Sequence, residues 1–148
     1  MEGTGREEVV MVKVSMSHED YLEAIVMLGG TAEQSVRSVD IANHMGVSKA
    51  SVNKAIGVLK EKKLATQPYY GDVTLTKAGY EYAQSVFKRH RYLTAFLSQA
   101  VGIPEEVAED EACLMEHAIS DESFEKWVAY IEDLGIVDPE EKSPEHDT

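Results

Sequence analysis

The sequence predicts a mainly α-helical protein with one small β-hairpin. Three observations carry that reading. Apolar residues recur at helical spacing through most of the chain. Gly29-Gly30, Gly46 and Gly102 interrupt the periodic stretches. Only residues 64–76 change to strand-like alternation, around the turn residues Pro68-Tyr69-Tyr70-Gly71. The 148 residues suffice for one large domain or two small ones. With 43% apolar and 28% charged residues, the chain has the balance of a globular protein with a real core. No apolar run approaches the roughly 20 residues of a membrane span. Met1–Ser17 mixes Glu, Lys and Val without an apolar signal core, so no secretion is expected. The single cysteine, Cys113, rules out an intramolecular disulfide and fits a reducing cytoplasm.

Taken in order, a first helix is expected from Ser17 to Leu28, with Tyr21, Leu22, Ile25, Val26 and Leu28 as its apolar stripe. A short second helix covers Ser38–Met45, turning Val39, Ile41, Ala42 and Met45 inward, and Gly46 follows it. Ser48 reads as the N-cap of a third helix, Lys49–Lys62, whose inward residues are Val52, Ile56 and Leu59. Residues 64–67 and 72–76 read as two strands. Helix returns at Lys77 and is expected to reach Ala100. Pro104 opens the next helix at its first position, and that helix is expected to reach Ile119. Ser120 caps a last helix, Asp121–Leu134, and the acidic segment 138–148 is expected to be a frayed tail. The expected organisation is therefore residues 1–76, residues 77–137 and the tail.

The charge is unevenly distributed. The net value is −13, which as a whole argues against nucleic acid. By segment, residues 35–91 carry +6, residues 1–34 carry −5 and residues 92–148 carry −14. A basic block between two acidic ones suggests that the middle meets an anion and the flanks meet a cation. The order helix, helix, glycine-containing turn, helix, hairpin in the middle is that of a winged helix-turn-helix. Ala42 permits a close helix crossing, Gly46 the turn, and Val47 is expected to plug the core. Ser48, Lys49, Ser51, Asn53 and Lys54 are then placed to reach base edges and phosphates in a major groove, with Lys60, Lys62 and Lys63 following. Tyr69 and Tyr70 at the wing tip are expected on the DNA backbone. The plainer alternative is a small helical domain with a solvated lysine face. Spacing, turn, cap and hairpin agree with one another, and that agreement favours DNA binding.

Two further groups carry chemistry. Asp20 and Glu23 are an i, i+3 pair on the first helix. Locally, Ser17-x-x-Asp20 resembles a capping box, which would make Asp20 a cap partner. Cys113, Glu116 and His117 are spaced i, i+3, i+4, so a helix would aim all three one way. Thiolate, carboxylate and imidazole are the transition-metal ligand set. His90 follows Phe87 by three and Val86 by four, on the inward stripe of its helix, where a lone histidine is usually a satisfied core residue. Burying all six of these ionisable side chains without a cation would be very costly.

Residues 17–25, Ser-His-Glu-Asp-Tyr-Leu-Glu-Ala-Ile, resemble the opening of the diphtheria-toxin-repressor and manganese-transport-regulator family. So do Lys88-Arg89-His90-Arg91 and residues 110–122, and the likeness covers residues 15–134. The resemblance implies a cytoplasmic homodimer, with a winged helix followed by a helical metal-binding and dimerisation domain. In such proteins divalent iron or manganese promotes binding to a palindromic operator, usually to repress metal uptake. By the same resemblance Asp20 and Glu23 match ligands of manganese-type members, His90 the histidine of the long helix, and Glu116 and His117 the shared Glu-His pair. Cys113 departs from the manganese pattern, which has Glu there, and looks like the iron-type Cys. Thr94 stands where many members carry Glu, and Glu109 where iron-type members have an ancillary His. The resemblance also implies the short architecture, without the SH3-like domain of longer members.

The expected cofactor is Fe(II) or Mn(II), the thiolate weighting the set toward iron, with Co(II), Ni(II) or Zn(II) as substitutes. The expected partners are a double-stranded operator and a second copy of the chain, with no membrane. The expected mechanism is a metal-linked shift in the spacing of two recognition helices, which must lie about 34 Å apart to enter successive major grooves. Two other classes of function are compatible with parts of the sequence. A winged-helix regulator of an organic ligand would need a purely structural ionic core. A small metallohydrolase would need a nucleophile–base–orienter set, and none is visible, so no enzymatic activity is expected.

Overall fold

The computed structural model describes residues 13–136, and the chain forms two compact units that part after Tyr80. The tail expected at 138–148 lies outside the described residues. In the first unit, helix α1 (Met16–Met27) buries Tyr21, Leu22, Ala24 and Ile25. Its N-cap is Ser15, whose Oγ accepts from the His18 N–H at 3.3 Å. Ser17 is therefore inside the helix, and the capping box expected with Asp20 does not form. A two-residue strand β1 (Val36–Arg37) precedes α2 (Ser38–Met45). It was not anticipated, because two residues are too few to show a period. Gly46 closes α2 in the left-handed region (φ 70), its N–H bonded to the Ala42 carbonyl at 2.8 Å, as only glycine does without strain. Helix α3 (Lys49–Glu61) starts from Ser48, whose Oγ accepts from the Ser51 N–H at 3.0 Å.

Strands β2 (Ala65–Thr66) and β3 (Asp72–Leu75) are shorter than expected. The sheet is antiparallel, in the order β1-β3-β2, with Val36 opposite Val73 and Ala65 opposite Leu75. Every one of those four apolar side chains is buried. They join Leu22, Ile25, Ile41, Val52, Ile56 and Leu59 in the core of a winged helix-turn-helix. Val39, Met45 and Val47, expected inside, are only half-buried. With α2 just two turns long, Ile41 and Ala42 are the apolar residues that it buries.

Helix α4 (Lys77–Ala95) leads into the second unit. The helix expected through Ala100 widens instead into a π-helical turn at Phe96–Val101, closed by an Ile103 N–H to Leu97 carbonyl bond of 2.9 Å. There the Phe96 ring packs edge-on against Trp127, with centroids 5.8 Å apart. Pro104 has an extended ψ of 142° and so is the N-cap of α5 (Glu105–Met115), not its first helical residue. Helix α5 ends at Met115, four residues before the expected Ile119, because residues 116–118 turn back. The freed Glu116 carbonyl there takes a bond from Arg89 Nη1 at 3.0 Å. Ser120 caps α6 (Asp121–Asp133), accepting from the Ser123 N–H. Tyr92, Leu93, Leu97, Ala108, Ala112, Phe124 and Ile131 form this unit's core. Among the described residues, no helix is long and apolar enough to cross a membrane.

Candidate nucleic-acid interface and metal centre

Helix α3 divides sharply by side. Val52, Ala55, Ile56 and Leu59 are buried, whereas Ser48, Lys49, Ser51, Asn53 and Lys54 are exposed. The 3.6-residue period alone separates the two sets. Ser48 is largely committed to its own helix, since its hydroxyl also donates to Ser51 Oγ at 3.1 Å. Lys49, Asn53 and Tyr70 line one crevice of about 200 Å³, together with Arg37, Ser38, Val39, Gly71 and Asp72. Sequence reasoning missed Arg37 and Ser38. Their position follows from β1, which brings the start of α2 beside the wing, as the Ser38 N–H to Gly71 carbonyl bond of 2.7 Å shows. Ser38 Oγ is buried with no hydrogen-bond partner among the described residues, and α2 has no side-chain cap. A phosphate oxygen would satisfy such donors. Tyr69 and Tyr70, at 73% and 98% exposure, project from the wing tip.

The second unit gathers four of the expected ligands. Glu116 is fully buried, just past the end of α5. Its Oε1 is 2.9 Å from His90 Nδ1, and its Oε2 is 3.3 Å from His117 Nε2. Cys113, Glu116 and His117 offer donor atoms within 4.8 Å of one another. The helical spacing that suggested this trio is only partly the reason for it, since Glu116 caps the helix and His117 belongs to the turn. Among the described residues, Glu116 Oε2 makes no bond of hydrogen-bond geometry. A fully buried carboxylate with one such oxygen carries a desolvation cost of several kcal/mol, which a cation offsets. The donor set of carboxylate, imidazole and thiolate therefore fits a divalent transition metal.

In the first unit, Glu23 is buried and Asp20 half-buried on α1. Glu19 is buried as well, at 4% exposure, and sequence reasoning missed it. An acid in a first helical turn is ordinary, so no signal distinguished it.

Two domain families match the chain. Residues 13–71 match the N-terminal DNA-binding domain of iron-dependent repressors, and residues 76–143 match the metal-binding and dimerisation domain of the same proteins. An HTH-type transcriptional regulator of Methanocaldococcus jannaschii is 32% identical over 120 residues, spanning 80% of this chain and 95% of that one. The transcriptional regulator MntR of Salmonella typhimurium is 31% identical over 117 residues, spanning 79% and 73%. Among solved structures, a manganese-dependent transcriptional repressor in complex with manganese superposes with a TM-score of 0.68 at 31% identity. The match covers 78% of this chain and about half, 52%, of that one. The chain belongs to the iron-dependent repressor family of metal-dependent transcriptional regulators, and carries both its DNA-binding and its metal-binding and dimerisation domains.

Proposed function

We propose that this protein is a cytoplasmic homodimer that binds a palindromic operator when loaded with Fe(II) or Mn(II), and thereby represses genes of metal uptake. The observation that carries the metal half is Glu116, a fully buried carboxylate between two imidazoles, one oxygen of which lacks a hydrogen bond among the described residues. His90, Cys113, Glu116 and His117 would hold the ion in the second unit, and Asp20 and Glu23 on α1 are the further ligands expected from the sequence. A bound divalent ion would supply the positive charge that the buried Glu116 carboxylate calls for. The remaining work belongs to the chain. Lys49 and Lys54 neutralise phosphates, Asn53 reads a base edge, and the crevice of Arg37 and Ser38 takes a backbone phosphate. Tyr69 and Tyr70 rest on the backbone beside it. The ion would act by favouring one spacing of the two recognition helices in the dimer, since a ligand shifts an equilibrium only through differential affinity for its states.

The deciding experiment titrates operator binding in parallel with Fe(II), under anaerobic conditions, and with Mn(II), against a chelator control. Tight binding only with metal is expected. The Cys113 thiolate favours Fe(II) over Mn(II), and the carboxylates and imidazoles accept either. Operator affinity indifferent to both metals and to chelator would leave the organic-ligand regulator as the better reading. Equilibrium dialysis with the same metals measures the binding step by itself.

A further inference from the structure

A buried guanidinium one residue before the proposed ligand His90 has no part in the reading above. Arg89 is 4% exposed. Its Nη1 donates to the main-chain carbonyl of Glu116 at 3.0 Å, and its Nη2 pairs with Asp121 Oδ1. The guanidinium carbon lies 5.8 Å from the centre of the Phe124 ring. Desolvating a guanidinium costs several kcal/mol, which a carbonyl, a carboxylate and an aromatic face together offset. All three contacts go to residues 116–124, the connection that follows α5 together with the first turn of α6.

That segment is where the proposed ligands leave regular structure. Because α5 ends at Met115, helical geometry no longer dictates where the His117 side chain points. The backbone of the turn dictates it, and the carbonyl of Glu116 is the part of that backbone that Arg89 holds. We propose that Arg89 is a positioning residue for the metal ligands. By pinning the main chain of Glu116, it fixes the directions in which the Glu116 carboxylate and the His117 imidazole meet a divalent cation. Asp121, whose side chain is 64% exposed, holds the guanidinium in register from the surface. The two donors of Arg89 serve two acceptors at once in a rigid fork, which an ammonium on a flexible stem does not reproduce. This inference rests on the proposed metal site, and its test separates the two.

The probe is Co(II) added to the full chain, with affinity measured by chelator competition and coordination read from visible ligand-field absorption. Wild type is expected to bind, and Glu116→Gln to lose most of that binding. If it does not, the site itself is wrong, and Arg89 with it. Arg89→Met is expected to weaken Co(II) about 10–100-fold, the usual effect of removing an outer-sphere partner, and to change the absorption. Arg89→Lys should recover only part of the affinity. Asp121→Ala should weaken Co(II) in the same direction by about 3–10-fold, and Asp121→Asn, which keeps an acceptor oxygen, by less. A folded Arg89→Met protein of lowered stability with wild-type Co(II) affinity and spectrum would overturn the proposal, since a merely structural arginine behaves that way. Should Arg89→Met fail to fold, Asp121→Ala decides, and an unchanged affinity and spectrum there overturns it equally.

Discussion

Asn53 and Lys54 are adjacent and exposed on α3, and DNA is expected to distinguish them. A lysine neutralises a phosphate whatever the sequence, so Lys54→Ala should weaken binding to all duplexes and reduce the salt slope by about one unit. An amide in the groove reads donors and acceptors, so Asn53→Ala should instead relax base preference at one position, at about 1–3 kcal/mol of discrimination. Binding of operator and random duplex at several salt concentrations checks both. Wild-type behaviour from both variants would remove α3 as the reader. At the proposed metal centre, Cys113 is the residue that departs from the oxygen and nitrogen donors around it. Cys113→Glu replaces a soft sulfur by a hard oxygen and should shift the activation ratio from Fe(II) toward Mn(II). An unchanged ratio would mean that the sulfur makes no selective bond.

Between residues and domains, elements show why some of this was legible and some was not. The ends of α2 and α3 were readable because each has a local cause, namely left-handed Gly46 and the Ser48 cap. The ends of α4 and α5 were not, because their causes are tertiary. Phe96 packs on Trp127 across the second unit, and the Glu116 carbonyl is taken by Arg89, 27 residues away in sequence. The same distinction applies to the candidate site. Cys113, Glu116 and His117 could be grouped from spacing, whereas Ser38 could not, since a two-residue strand places it. Gly79 is a further tertiary case, with no mark in its neighbours in sequence. A Cβ there would fall 1.9 Å from the Leu64 carbonyl oxygen, where the hairpin crosses the start of α4. Gly79→Ala gains about 1 kcal/mol of helix propensity. It must also displace main chain that the Thr76 N–H to Leu64 carbonyl bond of 3.0 Å holds in place. Overpacking of that kind typically costs about 1–3 kcal/mol and more when backbone has to move, so the net effect should be destabilising. Urea unfolding measures the sign, and a stabilised variant would show that the strand gives way freely.

Over the whole molecule, the charge is divided as the proposed work is. The +6 of residues 35–91 includes α3, and the −14 of residues 92–148 surrounds three of the six proposed ligands. Without metal, that acidic part would repel a phosphate backbone at long range, an effect that a bound divalent ion would reduce. Coupling between ion and operator is reciprocal, so removing the ion's ligands should remove the coupling and leave the rest. The double change Glu116→Gln with His117→Ala tests this. The winged helix contains neither residue, so the variant should fold, stay dimeric and keep weak, salt-sensitive binding to any duplex. It should lose only the gain in operator affinity that metal brings, about 1–3 kcal/mol or more for an allosteric coupling, which is roughly 5–150-fold. Residues that merely satisfied one another in a core would behave differently. Their removal would change stability with or without metal, and operator affinity would never have depended on metal. Gel-shift titrations of both proteins, with metal and with chelator, separate the two outcomes. Metal activation that survives in the double variant would dismiss Glu116 and His117 as ligands, and the coupling mechanism would go with them.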